Sequence, residues 1–339
     1  MNADTAIPEL SVVIIARNEE QTIGQCIASV LRETARSRCE ILFVDSASTD
    51  RTVDIAREYP IAIARLAPEL LSPSAGRWQG TRLVHGEYLF FVDGDMLVID
   101  GWVSKAMEAL EDPRLAAVAG RLFWVLPGEP LTLGRKDDLP LGRVSGLGGA
   151  AIYRRRALEE CGGFNPFLRG EEEREVGFRL SLRGYSVKRV DVPMAYHMDK
   201  HRGVEEILGR SVYFTGVGQI MRGHAFRSIF WDLLVEHREV FLVWAVSVGI
   251  GAATIVLALM DATGWLLWLG AMTGCVLILL GLRKGPGRLW LYLHSRGLLG
   301  IRFAKGLSRG LPHPALFPGT FTWIKNDPQQ ALMHKQQFP

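Results

Sequence analysis

Three apolar runs in the first hundred residues break off at polar clusters. Leu10 to Ile15 gives way to Ala16-Arg17-Asn18-Glu19-Glu20, Ile41 to Val44 ends at Asp45, and Phe90 to Val92 ends at Asp93-Gly94-Asp95. Each run has strand length and little alternation, the pattern of a strand buried on both faces. Between them, Thr22 to Leu31 reads as a helix, and Ser46-Ala47-Ser48-Thr49-Asp50 opens another that begins near Arg51. A βαβαβ order predicts an α/β domain with a mostly parallel, Rossmann-like sheet covered by helices. Ligands in such sheets bind beyond the carboxyl ends of the strands, where Asp45, Asp93 and Asp95 all fall.

A different pattern appears later. Hydrophobic residues make up 48% of the 339-residue chain, and the excess is local: Phe241 to Met260 and Gly264 to Leu282 contain no charged residue. Each is long enough to cross a bilayer, and Asp261-Ala262-Thr263 fits a tight turn between them. A buried helical hairpin in a soluble core is the alternative, but continuous apolarity without a polar face favours a two-helix transmembrane hairpin over residues 239–283. Arg222, Arg227 and Arg238 precede the hairpin and Arg283, Lys284 and Arg288 follow it. The positive-inside rule then puts both long ends in the cytoplasm, with the chain in the inner or cell membrane. The first ten residues lack a signal-peptide pattern, in keeping with that orientation. Basic and apolar residues interleave over 201–238 and again over 284–339. These segments read as interfacial helices and a cytoplasmic amphipathic C-terminal segment, with packing on the domain as the alternative for the first. A catalytic domain over 1–200 precedes them. The net charge of +3 gives no reason to expect a nucleic-acid partner. Cys26, Cys39, Cys161 and Cys275 lack metal spacing and fit free thiols.

The chemistry concentrates in two places. The carboxylates of Asp93 and Asp95 lie one residue apart at a strand tip; they are either a site for a hard divalent cation that also holds phosphate or an ordinary Asp-Gly surface turn. Glu171-Glu172-Glu173 and Glu175 sit in the first turn of a helix that ends at Gly184, with Arg174 and Arg179 among them. They are either a general base facing the site or acids favoured by the helix dipole. Downstream, Val190 to Tyr196 reads as a last strand that ends at His197, with His201 four residues on. A structural histidine and a member of an Asp/His metal shell are both open for His197.

In this order the residues resemble glycosyltransferase family 2. Val12-Val13-Ile14-Ile15-Ala16-Arg17-Asn18-Glu19 looks like that family's first strand and its Asn-Glu turn. Phe43-Val44-Asp45-Ser46-Ala47-Ser48-Thr49-Asp50-Arg51-Thr52 is similar to its Val-Asp-Asp-x-Ser-x-Asp-x-Thr signature, with Ser46 in place of the second Asp. Gly76-Arg77-Trp78-Gln79-Gly80 is similar to its Arg-Asn-x-Gly, with Trp78 in place of Asn. Asp93-Gly94-Asp95 matches its Asp-x-Asp, and Ala151 to Phe164 looks like the segment before its acceptor site. Glu172-Glu173 falls where the family has Glu-Asp.

The resemblance implies a GT-A fold and an inverting transfer of one sugar from a nucleotide-diphosphate sugar, a UDP-sugar first among them. Ala16, Arg17, Glu19, Asp45, Arg77, Asp93, Gly94 and Arg179 would bind the donor. Asp95, with His197, would hold Mn²⁺ or Mg²⁺. Glu173 would be the base, with Glu172 in reserve because Glu173 is one methylene longer than the usual Asp. The Gln-x-x-Arg-Trp signature of processive synthases is absent, which favours single-sugar transfer. A membrane tether suits a lipid-linked acceptor such as a polyprenyl phosphate, a lipid-linked saccharide or a glycolipid. The competing readings are a non-catalytic nucleotide-sugar-binding scaffold with the same fold, which the intact Asp95 and Glu173 oppose, and a nucleotidyltransferase, whose Gly-rich phosphate loop is missing after the first strand.

Overall fold

The computed structural model describes residues 8–68, 71–126, 128–198, 211–260 and 262–325; for residues 271, 275–284 and 286–292 it describes the backbone alone. The first three apolar runs form β1 (Leu10–Ala16), β2 (Cys39–Asp45) and β4 (Tyr88–Asp93), with β3 (Ala62–Leu66) between the last two. Helices α1 (Ile23–Glu33), α2 (Thr52–Arg57) and α3 (Pro73–Leu83) connect them. The four strands are parallel in the order β3-β2-β1-β4. Every residue of β1 and β2 is buried, which accounts for their unbroken apolarity. Pairing sets Ala16 beside Asp45 and Ile15 beside Asp93, so both acids end at one edge of the sheet.

The second half of the sheet differs from the mostly parallel expectation. It contains β5 (Met96–Val98), β6 (Leu115–Val125), β7 (Gly142–Val144), β8 (Ala151–Arg154) and β9 (Ser186–Met198), with α4 (Trp102–Ala109), α5 (Arg155–Glu160) and α6 (Glu172–Leu182) outside it. Only β6 and β9 pair in parallel there; β4/β8, β6/β8, β5/β9 and β7/β9 are antiparallel. The cause is a turn of the chain over the site. The loop before β8 passes the end of the sheet where β4 stops, so β8 enters from that end, with Ala151 opposite Phe91, and must run the other way.

Residues 312–325 rejoin this unit, which comprises residues 1–201 and 312–339 by contacts. A final strand, β10 (Phe321–Lys325), adds antiparallel to β3. Lys325 Nζ donates to the carbonyls of Arg57 and Tyr59 at the strand's end. The C-terminal segment therefore belongs in part to this sheet, which corrects the expectation of one amphipathic tail over 284–339. Residues 326–339 of that expectation lie outside the described residues.

The second unit, residues 202–311, is helical over its described residues. It contains α7 (Tyr213–Gly223), α8 (Ser228–Glu236), α9 (Arg238–Leu259), α10 (Thr263–Lys284) and α11 (Pro286–Arg309). Helix α7 is buried from Phe214 to Met221, so it is a core helix of this unit and not the surface helix expected for that stretch. Its Gly218 meets Gly306 of α11 so closely that a Cβ at either would strike backbone of the other helix. Gln219 Nε2 and Arg222 Nη1 then donate to carbonyls at the C-terminus of α11, closing groups the helix end leaves open. Among the described residues one helix, α9, is long and apolar enough to cross a membrane. Its apolar side chains are outward-facing, with Val240 its one buried residue. The second arm expected for the hairpin is a helix, α10, with exposed Trp265, Leu267 and Trp268.

Phe317, buried on the return segment, packs edge-on against Trp78 of α3 at 5.0 Å and Phe167 at 5.4 Å between ring centres. Phe317→Ala is expected to cost about 3 kcal/mol by cavity formation and to lower the thermal midpoint of the catalytic unit. An unchanged midpoint in a thermal melt would show that the return segment does not stabilise the sheet.

Candidate active site

The loops beyond β1 and β2 are laced together. Ser48 Oγ accepts from Asn18 N, Thr52 Oγ1 from Glu19 N and Asp50 from Glu20 N, while Asn18 Oδ1 accepts from Thr49 N. Asn18 and Ala47 adopt positive φ to allow this, as does Glu171 before α6. Such strain at three loops of one sheet edge points to a site. Ala16 is buried at the foot of this edge, where its carbonyl accepts from Ser46 N. Gly94 N donates to Ile15 O alongside. Arg17 is exposed at the tip of β1, and the Glu19 carboxylate accepts from Thr22 Oγ1.

Arg77 is the centre of the arrangement. Its side chain is buried, yet three carboxylates surround it: Asp93 and Glu173 on Nη2 and Glu172 on Nη1, each at 2.9 Å. Arg77, expected among the donor-binding residues, thereby ties α3, the end of β4 and the start of α6 together. Burial opposes its charge, but Asp93, Glu173 and Glu172 overcome this and hold it cationic. The two glutamates divide sharply: Glu172 is 3% exposed and Glu173 is 18% exposed. Only Glu173 keeps the solvent access a general base needs.

Removal from water pushes the Asp93 carboxyl up to about 7, with Asp95 and Glu173 adding to the rise. Arg77 opposes this without cancelling it, because its charge is shared among three acids. Burial, then Glu173, also pushes Glu172 up. The other acid of the pair, Asp95, faces a different partner. Pairing of β5 with β9 sets Met96 opposite His197, and His197 Nε2 lies 3.2 Å from Asp95 Oδ2. The ring of Trp124 stacks on His197 with centres 4.4 Å apart.

Among the described residues, no group of three or more His, Cys, Asp or Glu side chains could hold a metal ion by itself. Asp95 Oδ1 is nonetheless buried without a hydrogen-bond partner. An orphaned carboxylate oxygen beside an imidazole fits two ligands of a divalent cation whose other positions are taken by phosphate oxygens and water. His201 lies outside the described residues.

Two expected donor ligands, Asp45 and Arg179, have partners within the protein. Asp45 is fully buried; its carboxylate accepts from Arg65 Nε at 2.7 Å and from Ser48 N. Its exposed neighbour is thus the guanidinium of Arg65, which the sequence reading missed. The signal was present, because Ile61 to Ala64 is a fourth apolar run that breaks at a polar residue. Arg179 donates to Glu175 and to the carbonyls of Cys161 and Gly163. Seven residues after Glu172, it is roughly 10 Å further along the helix and locks α6 onto the preceding loop. The glycine run Gly146-Leu147-Gly148-Gly149 was also missed. A Cβ at Gly149 would overlap Asp93 Oδ2, so only glycine lets this loop close over the acid.

Asp93 also makes stability depend on pH. Its folded value near 7 lies above the unfolded value of about 4. The folded chain therefore holds a proton that the unfolded chain releases between those values, and stability falls as pH rises through the window. In metal-free protein the thermal midpoint is expected to decline from pH 4 towards 7, and Asp93→Asn to flatten that decline. A slope unaffected by the substitution would place the proton elsewhere.

With this geometry in view, comparison with known proteins is informative. Residues 11–162 match glycosyl transferase family 2, a match that stops short of Glu172, Glu173 and His197. The glycosyltransferase AglE of Haloferax volcanii is 28% identical over 139 residues, 40% of this chain and 46% of that one. The beta-monoglucosyldiacylglycerol synthase of Nostoc sp. is 22% identical over 254 residues, 69% of this chain and 53% of that one. The chain thus spans about half the length of these relatives. In fold it is similar to the mannosyltransferase PcManGT of Pyrobaculum calidifontis, solved with GDP-Man and Mn²⁺. The TM-score is 0.56 at 20% identity, covering 89% of this chain and 88% of that one. Residues 11–162 of this chain therefore form a glycosyltransferase family 2 domain.

Proposed function

We propose that this chain is a membrane-associated inverting glycosyltransferase that moves one sugar from a nucleotide-diphosphate sugar to a lipid-linked acceptor. The observation that carries the reading is the sharing of one guanidinium nitrogen, Arg77 Nη2, by Asp93 on the donor side and Glu173 on the acceptor side. Asp93, Gly94 and the β1 and β2 loops would hold the nucleotide end of the donor. Arg65, which takes up Asp45, would stand beside it with Arg17.

Asp95 and His197 would hold Mn²⁺ or Mg²⁺, as the buried, partnerless Asp95 Oδ1 supports. When bound, such a cation supplies Lewis-acid stabilisation of the leaving diphosphate. Glu173 would take the proton of the acceptor hydroxyl as that oxygen bonds to the anomeric carbon. The bond from that carbon to the diphosphate oxygen breaks, its electron pair leaves with the diphosphate, and attack from the opposite face inverts the centre. Arg77 holds Glu173 in place, so orientation and electrostatics do most of the work.

Two observations support the membrane and the lipid. Helix α9 is apolar along its length and leaves most of its side chains exposed. Helices α9 and α10 would supply the two crossings of a hairpin, and the flanking bases favour the cytoplasmic side for the site. The Nostoc relative is, by its name, a synthase of a glucosylated diacylglycerol, an acceptor class that suits this arrangement.

The test is nucleoside-diphosphate release by purified chain from a panel of sugar donors, with Mn²⁺ or Mg²⁺ and a membrane-lipid extract. Release from one donor, stimulated by lipid and stopped by a chelator, is expected. Asp95→Ala should abolish metal-dependent release; release that survived it would remove Asp95 as a ligand. Glu173→Gln should keep donor affinity while transfer falls by about 10²–10⁴-fold. Transfer at the wild-type rate would move the base to another group.

A further inference from the structure

We infer that the loop of residues 128–141 docks the catalytic unit on an anionic lipid bilayer beside the acceptor end of the site, an inference that rests on the lipid-directed reading above. The loop joins β6 to β7 and carries Leu131, Leu133, Leu139 and Leu141, exposed by 48%, 54%, 45% and 41%. The described catalytic unit has seven large hydrophobic residues this exposed, and four of them fall within these eleven positions. A concentration of that kind marks a contact surface.

The loop is held firmly at its base. Asp137 is its one buried residue among 128–141; it exchanges hydrogen bonds with Leu122 N and O at 2.9 Å and meets Arg121 and Arg189. Trp124 N donates to Arg135 O at 2.7 Å, and Phe123 bridges to Lys136. The acid most able to repel an anionic surface is thereby turned inward and paired. Arg135, Lys136 and Arg143 remain exposed outside, against Glu129 and Asp138.

This composition selects the partner. Aliphatic side chains interleaved with bases suit lipid tails and phosphates. A protein-binding centre would be expected to show the aromatic anchors this loop lacks. Its roots select the position. One root, Trp124, packs its ring against His197, and just beyond β7 a Cβ on Gly146 would strike the backbone of Glu173 and Arg174. A lipid surface that meets the leucines therefore presents its headgroups next to the base.

The test uses the full chain in vesicles of phosphatidylcholine and phosphatidylglycerol, with an environment-sensitive fluorophore on Leu133→Cys in a Cys275→Ala background. Cys26, Cys39 and Cys161 are buried. The expected result is a blue-shifted emission quenched at least twofold by lipid-borne quencher, while a label on Arg156→Cys, exposed on α5, is unaffected. Protein that co-floats with vesicles while its loop label stays in water and unquenched would overturn the docking surface and leave the membrane reading intact. Protein that fails to float would overturn both. A loop label shielded equally in detergent without vesicles would point to a second copy of the chain on the leucines and would also overturn it.

Discussion

A buried guanidinium surrounded by three carboxylates constrains everything around it. Arg77 has lost its water, and the acids that answer it come from two elements distant in sequence, the end of β4 and the start of α6. Breaking one arm of such a cluster is costly, about 3–5 kcal/mol for a buried pair, because a charge is left without its partner. Lysine could not take its place, since one point charge does not address three carboxylates from a planar fork. The position of α3 against the sheet, of the Asp93 turn and of the first turn of α6 are therefore fixed together. Burial, with an excess of acid over base added to it, is the cost, and it appears as the raised values of Asp93 and Glu172.

The same economy explains why two aspartates one residue apart have separate duties. Asp93 turns to Arg77 and Asp95 to His197, 102 positions further along the chain. The antiparallel pairing of β5 with β9 makes the second contact possible. A wholly parallel sheet would have left no short strand to set His197 opposite Met96. The break in parallel order after β4 is thus what brings His197 to Asp95.

The sequence displayed the donor half clearly. Runs buried on both faces have an unmistakable apolar signature, and they locate Asp45, Asp93 and Asp95 at one edge without further information. α1, α6 and the last strand also lie where their patterns put them. What was illegible depended on partners far away in the chain. Nothing local reveals that Asp45 is covered by Arg65, that Arg179 is spent on Cys161 and Gly163, or that Arg77 faces inward. β10 was equally hidden, because a five-residue strand becomes one only when β3 offers it an edge. Residue 47 shows the limit from the other direction: its positive φ suits glycine, and the alanine there is held by the lacing of the two loops.

The pair Glu172-Glu173 shows why neighbours of identical chemistry diverge. Successive helix residues differ by about 100° around the axis, so one can face the protein while the next faces the site. Glu172 meets Nη1 from within, and Glu173 meets Nη2 from the solvent side. Asp93 also uses Nη2. A carboxylate that moves away from that nitrogen leaves the other with a larger share of its charge. The positions of Asp93 and Glu173 are consequently not independent. They are joined through one atom, by Coulomb's law over 2.9 Å on either side.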